Sequence, residues 1–317
     1  MQIQELALAY SALNDCPDSV TQYSLQGNQR LLKHLLEKND FSSLVTKFQN
    51  DPKEVIANIR LSLFAIGQDS QMSQSERGER LERYIRHAIN LQIKLDKEAF
   101  PANSKVQFGV PCYIPDGLVD MGSDTSVSMK NRNREMISVD KREVLSKSMD
   151  LIKDIYLNNI QDKVTIAKMV AKWVFINLPY TKDEKLMPKG KIPLSTYVLP
   201  KEPIAQCRHH ALYCQVLNQF FGITSRVLKC NVKYDRSKSG VGGAHACNLI
   251  RLNNRWYLLD STSPVVNEIH QKYEVCISPI PGGNIDPNSR SYTWVVPGNQ
   301  GPEREYISRK NMYYIIE

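Results

Sequence analysis

The 317-residue chain has no apolar run approaching the roughly 18–20 residues that cross a bilayer. Its opening, Met1 to Glu5, has neither a basic stretch nor an apolar core. No membrane span and no cleaved secretory signal are expected. There is no Cys-x-x-Cys pair and no His-x-x-x-His, so the common zinc spacings are missing. The seven cysteines are odd in number and scattered, which does not fit a disulfide framework. They predict reduced thiols in a cytoplasmic or cytosol-like compartment. No internal repeat, RNA-recognition signature or helix-turn-helix pattern is visible. The net charge of +8 would favour acidic partners, but basic and acidic residues are interspersed. The densest basic cluster is Lys130, Arg132, Arg134, Lys141 and Arg142. It reads as solvated surface, and a nucleic-acid partner is not expected.

What is present is an apolar fraction of 42%, which suits a globular protein with ample core for one large domain or two small ones. Residues 1–100 read as helical. Leu31 to Phe48 carry one apolar stripe, and Asp51-Pro52-Lys53-Glu54 is a helix start followed by Val55, Ile56, Ile59, Leu63 and Ile66. Residues 68–75 read as a loop, and helical spacing resumes from Arg80 to Ala99. From Phe100 to Lys141, prolines and glycines interrupt short apolar runs, as in strands and loops. Val139 to Asn158 and Lys163 to Asn177 read as two helices. The expected organisation is a helical N-terminal region, 1–100, and an α+β domain, 101–317. The N-terminal helices serve either as a recognition region or as a flank packed on that domain.

Three residues in the last third carry the chemistry. Cys207 opens a helix running to Gly222, with Ala211, Cys214, Leu217 and Phe221 on its face. Gly222 suits the C′ stop. His245 opens a strand to Leu252, and Asp260 ends the next, from Arg255. A two-residue turn at Asn253-Asn254 pairs residues whose numbers sum to 507. His245 and Asp260 then become diagonal neighbours on one face, within reach of each other. A thiol at a helix N-terminus is favoured as thiolate by unpaired N–H groups and by a nearby imidazole. Triad logic makes Cys207 the nucleophile, His245 the base and then the acid, and Asp260 its orienter.

The same stretches resemble the core of the transglutaminase-like superfamily, a papain-related group with catalytic order Cys, His, Asp. The resemblance rests on Ile166–Tyr180, Cys207–Leu212, Phe221–Arg226, Ala244–Leu249 and Trp256–Thr262. The Arg-His-His-Ala run at 208–211 is similar to the N-terminal domain of plant enhanced-disease-resistance kinases. The resemblance covers about residues 150–265. It implies a central helix against an antiparallel sheet and acyl transfer on a protein substrate through a Cys207 thioester. It implies no cofactor, and no EF-hand-like calcium loop is visible. Gln206 stands where Gly often precedes the nucleophile. Cys247 replaces an aromatic residue, and Ser261 replaces a proline. These departures leave open whether the product is a deamidated, transamidated or cleaved protein.

Rival readings use the same atoms. Taken singly, a Cys on a buried helix face is more often a small core residue. A zinc site would draw on Cys207, His210 and Cys214 with Cys230, Cys247 or His270. His209 and His210 read as surface residues, or as contacts beside the nucleophile. The oxyanion donors are the Cys207 N–H, with Gln206, Tyr180 or Asn177 as the second. Residues 181–206 and 229–241 are loops that would flank a substrate groove. The alternative to an enzyme is an inactive scaffold of this superfamily that binds a protein partner. The departures and the added helices would also suit a bacterial effector acting inside a host cell, delivered without a cleaved signal peptide. The sequence does not fix the oligomeric state.

Overall fold

The computed structural model describes residues 60, 62–99, 105–107, 117–119, 135–181, 190–233, 243–252, 255–267, 272–279, 293–296, 304–308 and 313–315. The stripe at 31–48, the helix start at 51–54 and the turn at 253–254 lie outside these residues, as do 234–241 of the stretch expected as a loop, whose first residues, 229–233, are instead strand. The described part is α+β. Five helices are α1 (Gln74–Ala99), α2 (Lys141–Lys147), α3 (Met149–Leu157), α4 (Lys163–Asn177) and α5 (Cys207–Phe220). A short helical stretch at 62–67 precedes them.

Eleven strands form two sheets among the described residues. The first holds β1 (Lys105–Gln107), β2 (Gly117–Val119), β3 (Glu135–Val139), β4 (Gly190–Pro193) and β11 (Tyr313–Ile315), in the order β1-β11-β2-β3-β4. The second holds β5 (Thr224–Lys233), β6 (Gly243–Leu252), β7 (Arg255–Asn267), β8 (Lys272–Pro279), β9 (Thr293–Val296) and β10 (Arg304–Ser308), in the order β8-β7-β6-β5-β10-β9. All pairs in this second sheet are antiparallel.

Helix α5 is the central element. It packs on β5, β6 and β7, and on α4 and α2. The expected one-sided stripe is therefore too narrow: every residue from His209 to Asn218 is buried. The polar ones are paired with the sheet. The Asn248 amide donates to the Ala211 carbonyl at 3.0 Å, and the Ser225 hydroxyl donates to Gln215 Oε1 at 2.7 Å. The helix stops where expected. Gly222 has φ +72°, its N–H donates to the Gln219 carbonyl, and the Ile223 N–H donates to the Asn218 carbonyl. That is the Schellman pattern.

Two helices differ from the sequence reading. Helix α1 begins at Gln74 rather than Arg80. Its start is a capping box: the Glu76 N–H donates to Ser73 Oγ, and the Ser73 N–H donates to the Glu76 carboxylate. The stretch 139–158 is split at Ser148 into α2 and α3. The Ser148 hydroxyl turns back to the Val144 carbonyl and also meets the Tyr213 hydroxyl, which ties the break to α5. Leu81, Ile85 and Ile89 of α1 belong to the same buried cluster as Leu212, Tyr213 and Ile250. The core therefore runs without interruption across residue 100.

Gly67 lets the 62–67 helix touch α3. A Cβ there would lie 2.3 Å from the Tyr156 carbonyl oxygen, a backbone atom that cannot turn aside. Gly67→Ala is expected to cost about 2 kcal/mol, read as a lower urea midpoint with an unchanged slope.

Candidate active site

Cys207 is the first residue of α5, with Gln206 as its N-cap in extended conformation, φ −130° and ψ 177°. The cap is unusual. The Gln206 N–H donates to His209 Nδ1 at 2.8 Å, so a neutral imidazole takes the place of the usual glutamate. The His209 ring is fixed by the Tyr197 ring, stacked at 3.8 Å between centroids and 23° between planes. The Gln206 side-chain oxygen accepts from the Arg208 guanidinium.

Strand β6 brings His245 to the helix start. Its Nε2–H donates to Asp260 Oδ2 at 2.8 Å, with both side chains buried. That leaves Nδ1 for the Cys207 sulfur, to which His245 is hydrogen-bonded. The backbone N–H of Ala246 also donates to this sulfur. Asp260 Oδ1 accepts from the Thr262 N–H at 3.0 Å and from its hydroxyl at 2.7 Å. Both carboxylate oxygens are satisfied, which is what a fully buried charge requires. The register sum of 507 holds from Asn248↔Leu259 to Leu252↔Arg255.

The charges follow from this arrangement. Burial pushes the Cys207 thiol up. The His245 hydrogen bond and charge, the Ala246 N–H and the Arg208 charge outweigh it and hold the thiol below its ordinary value. Burial likewise disfavours the His245 imidazolium, but the Asp260 charge and hydrogen bond and the Cys207 sulfur raise it well above the usual histidine range. Asp260 is raised by burial and lowered further by His245 and Thr262, ending well below the usual carboxylate range. The pair therefore favours thiolate and imidazolium together. Two other buried thiols behave oppositely: burial pushes Cys214 up to about 12 and raises Cys247 well above its ordinary value.

Cys207 is half-buried, whereas Cys214, Cys230 and Cys247 are buried. The structure thus brings Cys207, His245 and Asp260 together. Tyr180 forms a parallel bridge with Ala205, two residues before Cys207, and its ring meets His210 edge-on at 5.9 Å. Asn177 spends its amide on the Trp173 carbonyl at 2.9 Å. His209 and His210 are not surface residues: both are fully buried. Burial first of all holds His210 down to about 4, so it is neutral near pH 7, and its Nε2–H donates to the Leu178 carbonyl at 2.8 Å. The sequence reading missed the His209 cap, although histidine three residues after the N-cap was its signal. It also missed Thr262, two residues after the carboxylate.

Among the described residues, no group of three or more His, Cys, Asp or Glu side chains is arranged to hold a metal ion. His270 lies outside them. No helix of the described residues is long and apolar enough to cross a membrane. Compared with protein-family models and with curated proteins, the sequence matches none.

Iodoacetamide should therefore alkylate Cys207 with a half-maximal rate at a pH below the free-thiol value of about 8.5. His245→Ala should move that midpoint up, as followed by intact mass. Stability should depend on pH in a defined direction. Because the folded Asp260 is depressed, its contribution is complete above the free-carboxylate value of about 4 and is lost as pH falls below it. The wild-type melting temperature should drop more steeply below pH 4 than that of Asp260→Asn.

Proposed function

We propose that this protein is a cysteine-dependent acyl-transfer enzyme with a papain-related, transglutaminase-like core, acting on protein substrates. The observation that carries the reading is one hydrogen-bonded chain from sulfur to imidazole to buried carboxylate, built from α5, β6 and β7. The motif order Cys207, His245, Asp260 adds the resemblance described for the sequence.

On this reading the Cys207 thiolate attacks the carbonyl carbon of an amide. The oxyanion is met by the Cys207 N–H at the helix start, where backbone donors lack intrahelical acceptors. Either Gln206 through its Nε2 or Tyr180 supplies the second donor. The C–N bond breaks as His245 passes its proton to the leaving amine, leaving a thioester. His245 then takes a proton from water, or from an incoming amine, which attacks the thioester and releases Cys207. Water on a side-chain amide gives a carboxylate and ammonia. Water on a peptide bond gives cleavage, and an amine gives transamidation. The residues of the site suffice for these steps without a cofactor.

A panel of dimethylated casein, oxidised insulin chains and monodansylcadaverine tests this reading. Ammonia release, new peptide termini or amine incorporation is expected with wild type. Each should fall at least ~1,000-fold in Cys207→Ala and His245→Ala, and by about 100- to 10,000-fold in Asp260→Asn. Slow labelling of Cys207 that rises only around pH 8.5, together with none of the three products, would favour the inactive scaffold.

A further inference from the structure

The large apolar side chains that are exposed among the described residues all lie at one junction. They are Ile176 (57% exposed), Tyr180 (39%) and Leu199 (69%). Ile176 is in the last turn of α4, and Tyr180 follows that helix by three residues. Leu199 is tied to the same place, because its N–H donates to the Asn177 carbonyl at 2.7 Å. The junction leads directly to the nucleophile. The Thr181 N–H donates to the Ala205 carbonyl at 2.8 Å, and the Ala205 N–H donates to the Pro179 carbonyl at 3.2 Å. Cys207 begins two residues later. The edge contact between Tyr180 and His210 joins the junction to the first turn of α5.

Leu199 is a poor choice for folding alone. Its φ is +46°, in the left-handed region where glycine and asparagine sit most readily. Its side chain buries little in return. A bulky residue held in strained backbone, with its apolar surface turned to water, is a pattern found where binding has set the residue type.

We infer that Ile176, Tyr180 and Leu199 form the apolar rim of a substrate site. The rim takes an extended polypeptide with an aliphatic or aromatic side chain next to the attacked amide. This rests on the acyl-transfer reading and names the substrate class for that site. The occupant is a substrate rather than a second copy of the chain, because Tyr180 is bridged to Ala205, two residues before the nucleophile, and its ring meets His210 in the first turn of α5. Leu199 and Ile176 are specificity residues.

The test uses two alkylators with the same warhead, the chloromethyl ketones of N-acetyl-Phe-Gly and N-acetyl-Gly-Gly, on the full chain. The Phe-Gly probe should label Cys207 about tenfold faster than the Gly-Gly probe, and the ratio should fall to about twofold in Leu199→Asn and Ile176→Ser. Leu199→Asn also relieves the backbone, so its melting temperature should equal or exceed that of wild type, which separates lost recognition from lost folding. Iodoacetamide is run beside both probes. Fast iodoacetamide labelling with equal probe rates overturns the apolar rim and leaves the nucleophile reading intact. A tenfold ratio that survives in both variants overturns the assignment of these residues. Slow iodoacetamide labelling overturns the nucleophile reading, and this inference with it.

Discussion

The contact between His245 and Asp260 is the constraint on which the rest of the site depends. A fully buried carboxylate is tolerated only when its charge is met by donors. Asp260 meets an imidazole on one oxygen and Thr262 on the other, so each oxygen has a donor inside the protein. The same contact settles which imidazole nitrogen faces the sulfur. With Nε2 committed to the carboxylate, Nδ1 points to Cys207 without any further device. Loss of His245 would leave a buried charge without its main partner, so the pair is structural as well as chemical.

The helix start is arranged to avoid working against the thiolate. In the common capping box, a glutamate three residues after the N-cap returns to the N-cap N–H. A carboxylate in that position would stand within a turn of Cys207 and would push its thiol up by like charge. His209 makes the same hydrogen bond as a neutral acceptor. Tyr197 stacking keeps the ring in place, so the cap does not rely on charge. Arg208 then adds a positive charge beside the sulfur. The run Arg208, His209, His210 thus divides three tasks. Arg208 lowers the thiol, His209 caps the helix, and His210 ties the helix to the end of α4.

Much of this was legible in the sequence because it depends on period and spacing. The hairpin register follows from turn length alone, and Gly222 marks the helix end because few other residues accept its φ. What was not legible depends on neighbours far along the chain. The break at Ser148 depends on Tyr213, 65 residues away. The burial of His209 and His210 depends on α5 being covered on all sides, whereas a periodic stripe suggests one covered face. Their partners, Tyr197 and Leu178, precede them by loop segments with no periodic signal. The capping box at Ser73 was visible in principle, but a polar stretch without apolar period reads as loop.

On the acyl-transfer reading, the geometry also restricts how a substrate can arrive. Asp260 is fully buried and His245 nearly so, and Cys207 is the most exposed of the three. The far end of α5 is closed by the Schellman turn, and its flanks are held by Gln215, Ser225 and Asn248. The helix therefore cannot swing to expose its nucleophile without breaking its contacts with the sheet. On the acyl-transfer reading, selectivity must then come from the edge of the site. The backbone from Pro179 to Thr181 and at Ala205 forms part of that edge, and the apolar side chains on it are the ones the fold leaves in water. A rigid nucleophile beside a fixed apolar rim places the burden of conformational adjustment on the substrate. Extended or locally unfolded protein segments meet that demand more easily than compact ones.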